Sequence, residues 1–338
     1  MNFETDVKFA RKIGIELTFV TDTVFNELDR DPHHLGWKAL TSAYKRIAEL
    51  EGMPNANSIY CDPGCVEYPS PIIKSWRQAA SWFEQATDIG KMLELTTTHP
   101  DQESGMGHIH VDCNIREAAI ITADMIGRPY LTWIFATPMG SEYCKSMLSA
   151  IISDRKQFGA RSWQEFSDFN YPLKDDTVII INSKNKFNHF NKKSVLKTID
   201  HNGEIIYKPL DWYGNIDYNL LQTKFAATPW RSELGTIEMR FFDSAQDWKQ
   251  QSEHIAFAQR YVYKLLENSK RYTPAPCVWE KTTNKHLKSQ LNQYRNNIDL
   301  CISDFKDLIT KTLELPWDRY SKYIDDRLVP SFEYGKRH

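Results

Sequence analysis

Apolar and polar residues alternate with a period of two in four separate stretches of the chain. Ile13, Ile15, Leu17 and Phe19 alternate with Gly14, Glu16 and Thr18. Val66 and Tyr68 alternate with Cys65 and Glu67. Ile109 and Val111 alternate with His108, His110 and Asp112, and Ile237, Met239 and Phe241 with Thr236, Glu238 and Arg240. Side chains on a strand point to opposite faces in turn, so each stretch predicts a strand with one buried face. Together they predict a half-buried antiparallel sheet.

Helical spacing fills the intervals. Trp37, Leu40, Ala43, Tyr44 and Ile47 predict a helix over 35–50. A longer helix is expected from Ser70 to about Leu95, with Ser70 as its cap, Pro71 in the first turn, and Trp76, Ala80, Phe83, Thr87 and Gly90 facing the core. Asp62-Pro63-Gly64 is strong turn chemistry and predicts a hairpin between a short strand at 58–61 and the strand at 65–68. Residues 115–125 and 141–152 read as helical, with a second apolar piece at 130–136 between them. Ser244 with Asp247 three residues on resembles a capping box for a helix reaching Asn268. The final helix carries the stripe Leu287, Leu291, Tyr294, Ile298, Ile302, Phe305 and Ile309, which suits packing on the domain or a dimer seam, and Pro316 stops it. Residues 153–230 mix short strands, at 177–182 and 204–207, with polar loops. The Asn- and Lys-rich loop at 182–189 reads as a solvated connector, or as a nucleotide contact through Lys186.

The polar faces of the four strands hold the unusual chemistry. They bring together Glu16, Glu67, Glu238, His108, His110 and Arg240. Carboxylates gathered on one sheet repel one another and resist ionisation, and cations relieve this. Carboxylate oxygens with an occasional imidazole suit Mg²⁺ or Mn²⁺.

Composition narrows the class. The 338 residues suffice for one large domain or two modest ones, and a net charge of −2 carries no general nucleic-acid or membrane signal. The six cysteines form no CxxC pair, so free thiols in a reducing cytoplasm are the expectation. No basic-then-apolar leader opens the chain and no apolar run is long enough to span a membrane. Walker-type, HExxH, GxSxG and GxGxxG motifs are all missing.

The order of the acidic and histidine motifs resembles the glutamine-synthetase-like carboxylate–amine ligases, which include glutamate–cysteine ligases and phage-type amidoligases. The resemblance rests on Gly14-Ile-Glu16, on Asp62 with Glu67-Tyr-Pro-Ser70-Pro71, on Gly107-His108-Ile-His110, and on Thr236-Ile-Glu238-Met-Arg240. It covers about residues 11–245. It implies an α+β fold built on a curved antiparallel sheet of the glutamine synthetase catalytic type. Residues 1–245 would be the catalytic domain, with 140–230 a variable insert, and 246–338 a mainly helical extension packed on it.

The resemblance also implies ATP and Mg²⁺ (or Mn²⁺) as cofactors, with a carboxylate phosphorylated and then captured by an amine. Glu16, Asp62, Glu67, His108 and Glu238 would ligate metal. Arg240 and Arg231 would meet the phosphoryl group, and His110 would face the substrate or support the ligands. Partners would be carboxylate and amine substrates, a peptide or protein acceptor among them, with a homo-oligomer open. Thr18 stands where the family has a second acidic residue, so an ion is lost or Glu103 or Asp112 compensates. The alternatives are a non-catalytic binding or structural relative and a guanidino-kinase-like phosphotransferase. A zinc hydrolase built on His108 and His110 is weaker, because the other candidate ligands are mostly carboxylates.

Overall fold

The computed structural model describes residues 3–21, 35–62, 65–97, 106–113, 130–135, 178–180, 195–199, 205–209, 230–231, 234–271, 282–283, 293–294 and 297–329, with residues 117, 121 and 128. The strands among them are β1 (Ile13–Phe19), β2 (Tyr60–Asp62), β3 (Cys65–Pro69), β4 (Met106–Asp112), β5 (Val178–Ile180), β6 (Val195–Ile199), β7 (Ile205–Pro209), β8 (Trp230–Arg231), β9 (Thr236–Asp243) and β10 (Thr282–Thr283). The α-helices are α1 (Phe3–Asp6), α2 (Leu35–Leu50), α3 (Trp76–Met92), α4 (Tyr130–Phe135), α5 (Trp248–Arg271), α6 (Ile298–Asp307) and α7 (Trp317–Tyr320).

The protein is a mixed helix-and-strand fold around an open antiparallel sheet. Six strands form that sheet in the order β2-β3-β1-β4-β9-β8, and four form a second, β10-β5-β6-β7. The alternation has its expected cause. Ile15, Leu17, Val66, Tyr68, Ile109, Val111, Ile237 and Met239 are all buried in one hydrophobic core shared with the helices. Tyr44 of α2 packs edge-on against Tyr68 of β3 with ring centroids 5.9 Å apart, and its hydroxyl donates to the Ala86 carbonyl of α3 at 2.6 Å. Further along the sheet, Phe135 of α4 contacts Phe241 and Phe242 of β9, Phe257 of α5 and Phe305 of α6. No helix among the described residues is long and apolar enough to cross a membrane.

The hairpin at Asp62 forms as expected, with Asp62 paired to Cys65. Several helix starts differ from the sequence reading. The chain stays extended past Ser70, because Ile73 bridges to Ile13 of β1. Ser70 Oγ accepts from the Ile15 amide at 2.8 Å and so ties strands rather than capping a helix. Ser75 is the true cap of α3, accepting from the Gln78 amide. Of the positions expected to face the core, Trp76, Phe83 and Gly90 are buried and Ala80 and Thr87 only half-buried; Ala79, Trp82, Ala86 and Ile89 complete the buried face of α3. Before α5, Ser244 accepts instead from the Thr18 amide at 3.0 Å, and Asp247 caps the helix through the Gln250 amide.

The last stripe is also interrupted. Asn297 caps α6 through the Leu300 amide, so α6 begins after Tyr294 rather than running through it; Leu287 and Leu291 lie outside the described residues. The helix then loosens into a π-helical turn over Leu308–Thr312 and ends before Glu314, whose φ is 54°. Pro316 therefore opens α7 rather than ending α6. Phe305 and Ile309 are buried within this same chain.

One irregularity shapes the sheet. The β4–β9 register slips between Gly107 and Ile109, so His108 faces the two-residue stretch Arg240–Phe241. The bulge switches the parity of β9, and both Phe241 and Phe242 enter the core. It also presses the backbones together: a Cβ at Gly107 would lie 2.5 Å from the Asp243 carbonyl oxygen. Only glycine permits that approach.

Candidate functional site

Register across β1, β4 and β9 assembles the polar cluster. Glu16 stands opposite His108, and His110 stands between Gly14 on one side and Glu238 on the other. The alternation places all four polar side chains on the face away from the core. Glu16 Oε2 lies 2.8 Å from His108 Nδ1, and its Oε1 lies 2.9 Å from His110 Nε2. Glu238 Oε1 approaches the same His108 Nδ1 at 3.2 Å. Both histidines and Glu238 are buried, whereas the Glu16 side chain keeps 21% of its surface exposed.

The protonation states follow from these distances. An ionised carboxylate only accepts hydrogen bonds, so His108 Nδ1, within reach of two, carries a proton here. Burial alone would push the Glu16 carboxyl up. The two imidazoles outweigh it, through hydrogen bonds first and charge second, and hold the group well below the usual carboxylate range. His110 Nδ1 meets the Thr236 hydroxyl at 3.2 Å. Without an ion, Nε2–H donates to Glu16. If a cation displaced that proton, Nδ1–H would donate to Thr236 and the Nε2 lone pair would face the ion between Glu16 and Glu238.

In that tautomer the cluster suits a cation. One donor atom each from Glu16, His110 and Glu238 lie within 4.8 Å of one another. Donors roughly 2.1 Å from a shared ion sit about 3–4 Å apart, so a small inward movement closes the set. Two carboxylates and an imidazole suit Mg²⁺ or Mn²⁺, and also Zn²⁺.

The remaining expected residues are placed as follows. Glu67 faces Thr18 across β1 and Tyr60 across β2, and its carboxylate accepts from the Tyr60 hydroxyl. It lies on the same face but outside the close group of three donors. Asp62, Arg231 and Arg240 hold strand positions in β2, β8 and β9, and their side chains lie outside what is described. Lys186 and Glu103 fall outside the described residues. Asp112 shares the polar face but stands exposed, next to Lys12.

Two roles escaped the sequence reading, which placed Thr236 on the polar face without assigning it a partner. Thr236 orients His110 and Tyr60 holds Glu67, and for each the signal was its strand parity. A cavity of about 380 Å³ also opens on this face. Glu16, His110, Lys12 and Asp112 line it, together with residues 69–72.

No family model and no curated protein matches this chain.

Proposed function

We propose that the protein is an ATP- and Mg²⁺-dependent (or Mn²⁺-dependent) carboxylate–amine ligase on a glutamine-synthetase-like sheet. The observation that supports this best is the convergence of Glu16, His108, His110 and Glu238 from three adjacent antiparallel strands. The motif order that resembles the ligases predicts such a convergence. In the reaction a substrate carboxylate attacks the terminal phosphorus of ATP, releasing ADP and leaving an acyl phosphate. An amine then attacks the acyl carbon, phosphate departs, and the amine sheds a proton.

In this reading Glu16, His110 and Glu238 hold a cation, and His108 bridges the two carboxylates. The bound cation would neutralise charge on the transferring phosphoryl group. Asp62 and Glu67 are proposed as further ligands on the neighbouring hairpin, and Arg240 and Arg231 as phosphate contacts at their strand positions. Thr18 leaves the hairpin side one carboxylate poorer than the related motif.

Calorimetric titration of ATP with and without Mg²⁺ tests the proposal. The expected result is binding that requires Mg²⁺ and is lost in Glu238→Ala. Absence of binding at millimolar ATP would overturn it in favour of a non-catalytic relative.

A further inference from the structure

The cavity beside the cluster has a composition that the ligase chemistry alone does not explain. Its volume, about 380 Å³, falls in the range of small-molecule sites, roughly 300–1,000 Å³. Its floor is the polar face of β1 at Gly14, where a side chain would project into it. Gly14 is not required by its backbone, since no positive φ is present and a Cβ would meet only His110, at 3.5 Å. A larger side chain there would be tolerated by the backbone and would take up space in the cavity.

The walls are apolar and uncovered. Ile72 is 68% exposed and Leu234 58% exposed, and both line the opening. Exposed apolar surface around a concave site is surface that a ligand can cover. The fixed charges are uneven. Among the described lining residues, Lys12 contributes one positive charge, while the largely buried Glu16 and the exposed Asp112 contribute two negative ones. Two of the acceptor sites on the Glu16 carboxylate are taken by His108 and His110, and its exposed edge retains the rest. A primary ammonium brings three donors to that edge.

We propose that this cavity is the subsite for a primary amine with an apolar body, its ammonium held by the exposed edge of Glu16 and its body by Ile72 and Leu234. Gly14 is then a specificity-determining position that keeps the floor open. The role of the amine as acyl acceptor rests on the ligase reading; its binding does not.

Phenylpropylamine, phenylpropanol and phenylpropionate share one body and differ in head group. Their affinities for the full-length, metal-free protein are measured by saturation-transfer NMR. Mn²⁺ binding is followed in parallel on the same preparation by electron paramagnetic resonance. The amine should bind tightest and the acid weakest. Leu234→Ser and Ile72→Ser, both at exposed positions, should each weaken the amine by about 3- to 10-fold through lost apolar burial. Gly14→Val should abolish amine binding. Lys12→Ala should tighten the amine and weaken the acid, about 2- to 3-fold in each direction. An amine no tighter than the alcohol, or one indifferent to Gly14→Val and to both serine variants, would overturn the assignment. Mn²⁺ binding without amine preference removes this subsite and leaves the ligase reading standing. Amine binding without Mn²⁺ or ATP binding does the reverse.

Discussion

Glu238 is one of two carboxylates within reach of a single imidazole nitrogen, and it is buried. Placing two like charges around one proton serves ion binding better than stability. Glu238→Gln should therefore separate the two properties. Mn²⁺ affinity should fall tenfold or more, since even residues supporting a ligand typically cost about 10–100-fold. The metal-free melting temperature should hold or rise, because a repulsive charge is gone while an acceptor for His108 remains. A parallel loss of both would assign Glu238 a structural role. His254 offers a second residue-scale prediction. It is wholly buried, stacks on Phe242 with centroids 4.6 Å apart, and its Nε2 has no hydrogen-bond partner among the described residues. Burial, helped by the charges of Arg327 and Lys322, lowers its pKa to about 3. The unfolded chain takes up a proton near pH 6.5 that the folded protein refuses until about pH 3, so between these values the unfolded state binds more protons. Stability should thus be lost as the pH is lowered through that window, by up to ~1.4 kcal/mol per unit. His254→Phe should flatten that slope in urea titrations at pH 4, 5 and 6.

At the scale of elements, caps and one bulge decide the geometry. Ser75→Ala removes the α3 cap and should cost about 1 kcal/mol in urea unfolding. Gly107→Ala should cost about 3 kcal/mol or more, because its Cβ meets the Asp243 backbone and neither strand can retreat from the core. The same pair shows how legible the elements were. The alternation in β1, β3, β4 and β9 is local and predicted their faces. Ser70 looked like a cap because Ser-Pro before an apolar run is cap chemistry. Its extended conformation comes from Ile73 pairing with Ile13, which no local window contains. The bulge left no mark in the sequence beyond a glycine, since its cause is a slip between strands more than a hundred residues apart.

Across the whole molecule, a buried acid ties the C-terminal helices to α5. Glu253, fully buried, accepts from Arg319 Nε at 3.2 Å and from the Tyr323 hydroxyl at 2.8 Å, and it pairs with Lys322 at 2.8 Å. Its backbone carbonyl accepts from the Tyr320 hydroxyl at 2.7 Å. Four contacts from 319–323 thus converge on one residue. Removing one partner of a buried pair typically costs about 3–5 kcal/mol, and here Arg319 and Lys322 can rehydrate, which places Glu253→Ala near the lower end. Limited proteolysis should then cut between α5 and α7 sooner than in the parent. Equal cleavage rates would show that apolar packing alone holds the segment.

The sequence by itself determined which side chains share a face. Strand parity is a property of neighbouring residues, and it put Glu16, Glu67, His108, His110 and Glu238 on one polar surface before any pairing was known. Which of them meet was decided only by the tertiary structure. Register and strand order bring Glu16 to both histidines, seat His110 on Thr236, and leave Glu67 with Tyr60, two residues along the ladder. Those choices depend on strands joined by long connections and on the helices packed beneath them. Pairing energies between distant residues fix them, and no local pattern carries that information.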